Sequence, residues 1–127
     1  MSVRCVIVDD STAVLNAASE LLEGEGVAVV GVATNGAEAR RTVEAHAPDV
    51  VLLDIDLGSE SGFGVARALE PILRGIGARS ILISTHDESE FADLIARSPA
   101  IGFVPKAALS AAAIHRLLST GSHAGQT

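Results

Sequence analysis

Four polar signatures stand directly behind apolar runs: Asp9-Asp10-Ser11, Asp54 with Asp56 two residues on, Ser84-Thr85-His86, and Lys106 behind Val104-Pro105. Carboxylates gathered at one point repel, and keeping them all ionised is costly. A hard divalent cation such as Mg²⁺ relieves that repulsion, binding a few carboxylates together with waters and a phosphate oxygen. A lysine and a hydroxyl converging there complete an anion site. Lys106 is the single lysine of the chain. Carboxylate, metal, lysine and hydroxyl together are what phosphoryl transfer to an aspartate requires.

Taken singly, each residue has a plainer role. Asp9, Asp10 or Ser11 suits the N-cap of a following helix. An acid such as Asp54 at a strand end is ordinary turn chemistry. The acidic run Asp87-Glu88-Ser89-Glu90 favours a helix N-terminus through the helix dipole. What favours the chemical reading is that every set falls at the same end of an apolar run. Other chemistries lack their signatures. No glycine-rich phosphate loop is present. His46, His86, His115 and His123 show no metal-ligand spacing, and no nucleophile elbow surrounds Ser84.

The elements that must position these residues are five short runs rich in Val, Ile and Leu: Val3–Val8, Val27–Val32, Val50–Leu53, Ser80–Ile83 and Ile101–Val104. None alternates apolar with polar, which is how a parallel strand buried on both faces reads. Helical periodicity fills the intervals. Thr12–Glu23 sets Val14, Leu15, Ala18, Leu21 and Leu22 on one face, and Ala37–His46 ends before Pro48. Gly62–Leu69 precedes Pro71, which is expected to end or kink that helix early. Ser89–Arg97 presents Phe91, Leu94 and Ile95, and Ser110 caps a last helix through Leu118 with Ile114, Leu117 and Leu118 inward. Five βα units predict an α/β fold with a parallel sheet and helices on both faces. Ligands in such folds sit at the carboxyl ends of the strands.

The composition agrees. The 127 residues suit one domain, and 48% hydrophobic content argues against disorder. Sixteen acids against nine bases give a net charge of −7, which disfavours nucleic-acid binding by this chain. Cys5 lies in an apolar run with no second cysteine, so a reducing compartment and a core role are expected. No signal peptide or bilayer-length apolar run is visible, and a cytoplasmic location is expected.

These residues resemble the receiver domain of two-component response regulators, and the likeness runs from Val3 to about Ser119. It rests on Asp9-Asp10, Asp54, Ser84 and Lys106 at intervals similar to the family's, on Gly62 eight residues past Asp54, and on Phe103 at the place of the switch aromatic. The resemblance implies a flavodoxin-like (βα)5 doubly wound sheet of order 2-1-3-4-5, with residues 1–120 as the receiver domain and 121–127 as a flexible tail. It implies that Asp54 accepts a phosphoryl group from a sensor histidine kinase or phosphotransfer protein. Mg²⁺ is then held by Asp9, Asp10, Asp54 and the backbone carbonyl of Asp56. Ser84 and Lys106 contact the phosphoryl group, and Ser84 and Phe103 move together to change the surface of the fourth helix, fifth strand and fifth helix. Asp56 and His86 fall where the family tunes dephosphorylation. The implied partners are a downstream protein or an effector domain outside these residues, in one case helix-turn-helix DNA-binding, and a homodimer formed on phosphorylation. No membrane partner is implied.

Two features depart from the family pattern. Pro105 precedes Lys106 and Ala107 follows it, where receivers place proline after the lysine. Gly58 stands where a proline is common past the acceptor, which predicts a looser acceptor loop. Two rivals remain. Asp54-Ile55-Asp56 resembles the nucleophile motif of haloacid-dehalogenase-type phosphatases, although a full βαβα precedes it here. A pseudo-receiver that never accepts phosphate is opposed by the intact Asp10, Asp54, Ser84 and Lys106 set. Turnover of a generic phosphomonoester separates the phosphatase from the receiver. A receiver shows almost none, and sustained release of phosphate would select the phosphatase.

Overall fold

A computed structural model describes residues 2–124. Its strands and helices follow in the order β1 (Arg4–Val8), α1 (Thr12–Gly24), β2 (Ala28–Ala33), α2 (Gly36–His46), β3 (Val50–Asp54), a hairpin of β4 (Asp56–Leu57) and β5 (Glu60–Ser61), α3 (Gly62–Ile76), β6 (Arg79–Ser84), α4 (Ala92–Arg97), β7 (Gly102–Pro105) and α5 (Ala111–Ala124). The five long strands form one parallel sheet in the order β2-β1-β3-β6-β7. With the hairpin set aside, this is the expected 2-1-3-4-5. Of the segment 121–127 expected as a tail, residues 125–127 lie outside the described residues, and α5 is described as far as Ala124.

Successive strand residues point to opposite faces, and here each face has its own core. Val6, Val8, Val51, Leu53 and Leu82 pack with Ala39 and Val43 of α2 and with Phe63, Ala66, Leu69 and Leu73 of α3. Cys5, Ile7, Val50, Leu52, Ile81 and Ile83 pack with Leu15, Ala18 and Leu22 of α1 and Ile114 of α5. Burial on both faces is why these strands carry no polar alternation. Cys5 is fully buried, and burial pushes its thiol up to about 12, so it behaves as a small core hydrophobe.

Helix ends follow local chemistry. Ser11 Oγ accepts the Val14 N–H at 3.3 Å, and Ser110 Oγ accepts the Ala113 N–H at 3.0 Å, both as N-caps. Glu25, just beyond α1, adds its carboxylate to the Ala111 N–H at 2.7 Å and ties α1 to the start of α5.

Three sequence expectations need correction. Helix α3 does not stop at Pro71 but continues to Ile76 and ends on Gly77 in the left-handed region. Pro71 lies on the exposed side, where water can satisfy the carbonyl it leaves unpaired, and continuing the helix buries Leu73 completely. The expected fourth helix is split into a 3₁₀ turn, Glu88–Phe91, closed by the reciprocal Asp87–Glu90 capping box, and a short α4. Phe91 and Ile95 then pack against the core, while Leu94 is 46% exposed. On α1, Leu15, Ala18 and Leu22 form the buried face, but Leu21 turns outward. No helix of the described residues is long and apolar enough to cross a membrane.

Ser80 in β6 is buried, and its hydroxyl has no hydrogen-bond partner among the described residues. Removing a buried, unsatisfied polar group relieves its desolvation cost. Ser80→Ala is therefore expected to raise stability by about 1 kcal/mol, read as a higher urea midpoint with an unchanged slope. A lower midpoint would show that the hydroxyl is satisfied.

Candidate functional site

The sheet delivers β1, β3, β6 and β7 to one rim, and the residues behind them meet there. Asp9, immediately after β1, is fully buried. Its own N–H donates to the Ala33 carbonyl at 3.0 Å, its Oδ1 accepts the Ser11 N–H at 3.0 Å, and its Oδ2 lies 2.6 Å from Lys106 Nζ. Asp54, the last residue of β3, accepts the Asp56 N–H on Oδ1 and the Lys106 ammonium on Oδ2, each at 3.1 Å. Lys106 sits just past β7, with 17% of its side chain exposed, and bridges the two carboxylates.

Burial is the largest influence on Asp54 and raises its carboxyl above the ordinary range. The Asp9 charge adds to that rise, and the Asp56 N–H and Lys106 oppose it. For Lys106, burial acts to lower the ammonium, but bonds and charges from Asp9 and Asp54 outweigh it and raise it. The lysine is therefore held protonated by the carboxylates it joins.

Asp10 is exposed at the mouth of the site. Asp9, Asp10 and Asp54 each offer a carboxylate oxygen within 4.8 Å of the other two. An all-oxygen, triply acidic set of this size fits a hard cation of the Mg²⁺ type. Asp10, with no hydrogen bond to its carboxylate among the described residues, is the member open to solvent.

The remaining expected residues divide. Ser84, at the end of β6, is buried, and its Oγ accepts the His86 N–H at 2.9 Å; it makes no hydrogen bond to Asp54 or Lys106. Asp56 is exposed on β4, and its N–H reaches Asp54 as described. His86 stands half-exposed, 3.8 Å from Glu90 and edge-on to Phe91 with ring centroids 5.7 Å apart. Phe103 on β7 is half-buried against the core and lies beside Leu82 of β6 in the sheet register.

Other features of the site went unread in the sequence. The segment after Asp54 forms a hairpin: Leu57 and Glu60 pair across a tight turn in which Gly58 takes φ +71°. Gly-Ser between two short extended pairs is a hairpin signature and was available to find it. Phe91 also packs against Phe63 of α3 with ring centroids 6.2 Å apart and the planes tilted by 44°, so the 3₁₀ turn and α3 are joined by aromatic contact. Gly62 has a steric reason, since a Cβ there would run into the Asp54 carbonyl and the Ile55 backbone.

Comparison with known proteins gives a consistent picture. The profile of the response regulator receiver domain matches residues 5–118. A probable transcriptional regulatory protein NarL from Mycobacterium tuberculosis is 36% identical over 105 residues, covering 82% of this chain and 48% of the relative. A protein-glutamate methylesterase/protein-glutamine glutaminase from Myxococcus xanthus is 34% identical over 121 residues, covering 94% of this chain and 34% of the relative. The chain thus spans half or less of the length of these curated relatives. Among solved structures, a LuxR-family two-component response regulator from Aurantimonas superposes with a TM-score of 0.75 at 30% identity, covering 84% of this chain and 75% of that one.

The raised Asp54 carboxyl makes a stability prediction. A carboxyl raised on folding contributes stability below its unfolded pKa, and that contribution is lost as pH rises through the folded value. Asp54→Asn removes the charge, so without divalent cations it should be more stable than the unchanged protein at neutral pH. The gain should shrink as the pH falls into the acid range. Denaturant melts at both pH values check this; a variant less stable at neutral pH would contradict it.

Proposed function

The chain belongs to the response regulator receiver domain family, and on that premise we propose that it is a phosphoryl-accepting switch in two-component signalling, with residues 1–120 as the receiver unit and Asp54 as the acceptor. The observation that carries this reading is the single lysine ammonium bridging Asp54 and Asp9 at the strand-end rim. In the proposed reaction an Asp54 carboxylate oxygen attacks the phosphorus of a phosphohistidine on a sensor kinase or phosphotransfer protein. The phosphorus–nitrogen bond breaks and the imidazole leaves. Lys106 is placed to neutralise charge on the acceptor as the phosphoryl group arrives. Asp9, Asp10, Asp54 and the Asp56 carbonyl are the proposed ligands of Mg²⁺, which when bound neutralises phosphoryl oxygens and orients them for in-line attack.

Ser84 is the proposed hydroxyl contact. Its oxygen already accepts the His86 N–H, which leaves the hydroxyl proton to donate to a phosphoryl oxygen. A dianion bound there biases the β6 end, and Phe103 on the neighbouring β7 is the proposed second part of the switch. The responding surface is α4, β7 and α5, offered to a downstream partner, a homodimer mate or a linked effector domain. Similarity to transcriptional regulators supports a DNA-binding effector, and similarity to a methylesterase supports an enzymatic one. In either case the chain acts in the cytoplasm and is itself no turnover enzyme. Asp56 and His86, at the mouth of the site, are proposed to set the phosphoryl lifetime.

Treatment with a small acyl phosphate and Mg²⁺ should add one phosphoryl unit to the intact protein by mass. Lys106→Ala should slow the addition about 100-fold, and omission of Mg²⁺ should suppress it. Failure of the unchanged protein to gain the adduct would overturn the reading.

A further inference from the structure

The hairpin β4–β5 carries part of the acceptor site, yet only two residues pair on each strand, too few to hold a conformation alone. Its base is closed by the Gly62 N–H on the Ile55 carbonyl at 2.8 Å, and two further anchors hold its body. Leu57 is buried in the core beside α2 and α3. Glu60, on the return strand, accepts the Gly36 N–H on Oε1 at 2.8 Å, at the first turn of α2. A carboxylate is favoured at that end of a helix.

This contact satisfies an α2 amide, Gly36 N–H, that the other caps at this end do not reach, and it also reaches beyond the helix. Asn35 Oδ1 already accepts the Glu38 N–H at 2.9 Å, and Glu38 Oε1 accepts both the N–H and the hydroxyl of Thr34, at 2.8 and 2.7 Å. The Glu60 contact also holds the hairpin. The hairpin meets the site twice: the Asp56 N–H bonds Asp54 Oδ1, and Gly58 lies so close to Asp10 that a Cβ there would stand 3.3 Å from its Oδ2.

We propose that Glu60 is a positioning residue of the acceptor site: clamped on the Gly36 N–H, it seats the β4–β5 hairpin against Asp10 and Asp54 and thereby sets the affinity of the carboxylate cluster for Mg²⁺. This rests on the receiver reading above. Glu60 touches neither metal nor phosphoryl group and acts through the hairpin. Its loss lets the hairpin lift, so Asp10 and the Asp56 backbone no longer face Asp54 in one arrangement.

The test uses the full chain, isotopically labelled, as the unchanged protein and as Glu60→Ala, Glu60→Gln and Glu38→Ala. Amide shifts during a Mg²⁺ titration give the metal affinity, and intact mass gives phosphorylation by a small acyl phosphate. Glu60→Ala should weaken Mg²⁺ about fivefold and slow phosphorylation at limiting Mg²⁺, with recovery when Mg²⁺ saturates. Glu60→Gln, which keeps an acceptor oxygen, should stay within about twofold. Glu38→Ala should lower the melting temperature without changing Mg²⁺ affinity. The proposal falls if Glu60→Ala binds Mg²⁺ like the unchanged protein, or if Glu38→Ala weakens binding equally, which would reduce Glu60 to a helix cap. An unchanged protein that binds no Mg²⁺ and takes no phosphoryl group would overturn the receiver reading itself, and this inference with it.

Discussion

One ammonium group lies between two carboxylates that would otherwise repel across the strand ends. Like charges 4 Å apart oppose each other by about 4 kcal/mol at the effective dielectric of a protein surface. Asp9, Asp10 and Asp54 each bring an oxygen within 4.8 Å of the others. Lys106 lies 2.6 Å from Asp9 and 3.1 Å from Asp54, and so joins β7 to both β1 and β3 across the rim. One ammonium against three carboxylates leaves the cluster net negative, and burial, with the Asp9 charge behind it, raises the Asp54 carboxyl. A site left short of positive charge in this way favours a divalent cation, and once the cation is present it can accept an anion.

The remainder of the fold serves to bring those four residues together. Parallel strands place all their carboxyl ends on one edge, and crossovers through α1, α2, α3 and α4 return the chain each time. The two cores, one on each face, hold the strands in register so that Asp54 and Ser84 end adjacent strands of the sheet. Gly62 lets α3 start directly under the Asp54 carbonyl, where any side chain would displace β3.

Most of this was legible in the sequence because it depends on period and position. Apolar runs without alternation announced doubly buried strands, and the coincidence of Asp9, Asp10, Asp54, Ser84 and Lys106 behind them announced one rim. The misread parts depend on partners distant along the chain. Whether Pro71 breaks α3 turns on which side meets solvent and on what Leu73 buries against. The exposure of Leu21 and Leu94 turns on how much of a helix its neighbours cover, which periodicity does not state. Glu60 looked like one acid among sixteen because its partner, Gly36, lies on another element.

The proposed switch puts the phosphoryl group on Asp54, and not on its neighbours Asp9, Asp10 or Asp56. Reduction of the phosphorylated protein with borohydride converts an aspartyl phosphate to homoserine, and peptide mass spectrometry then locates it. Homoserine is expected at position 54 alone, dependent on Mg²⁺ during phosphorylation. Homoserine at 9, 10 or 56, or none at 54 in protein that carries the phosphoryl group, would contradict it.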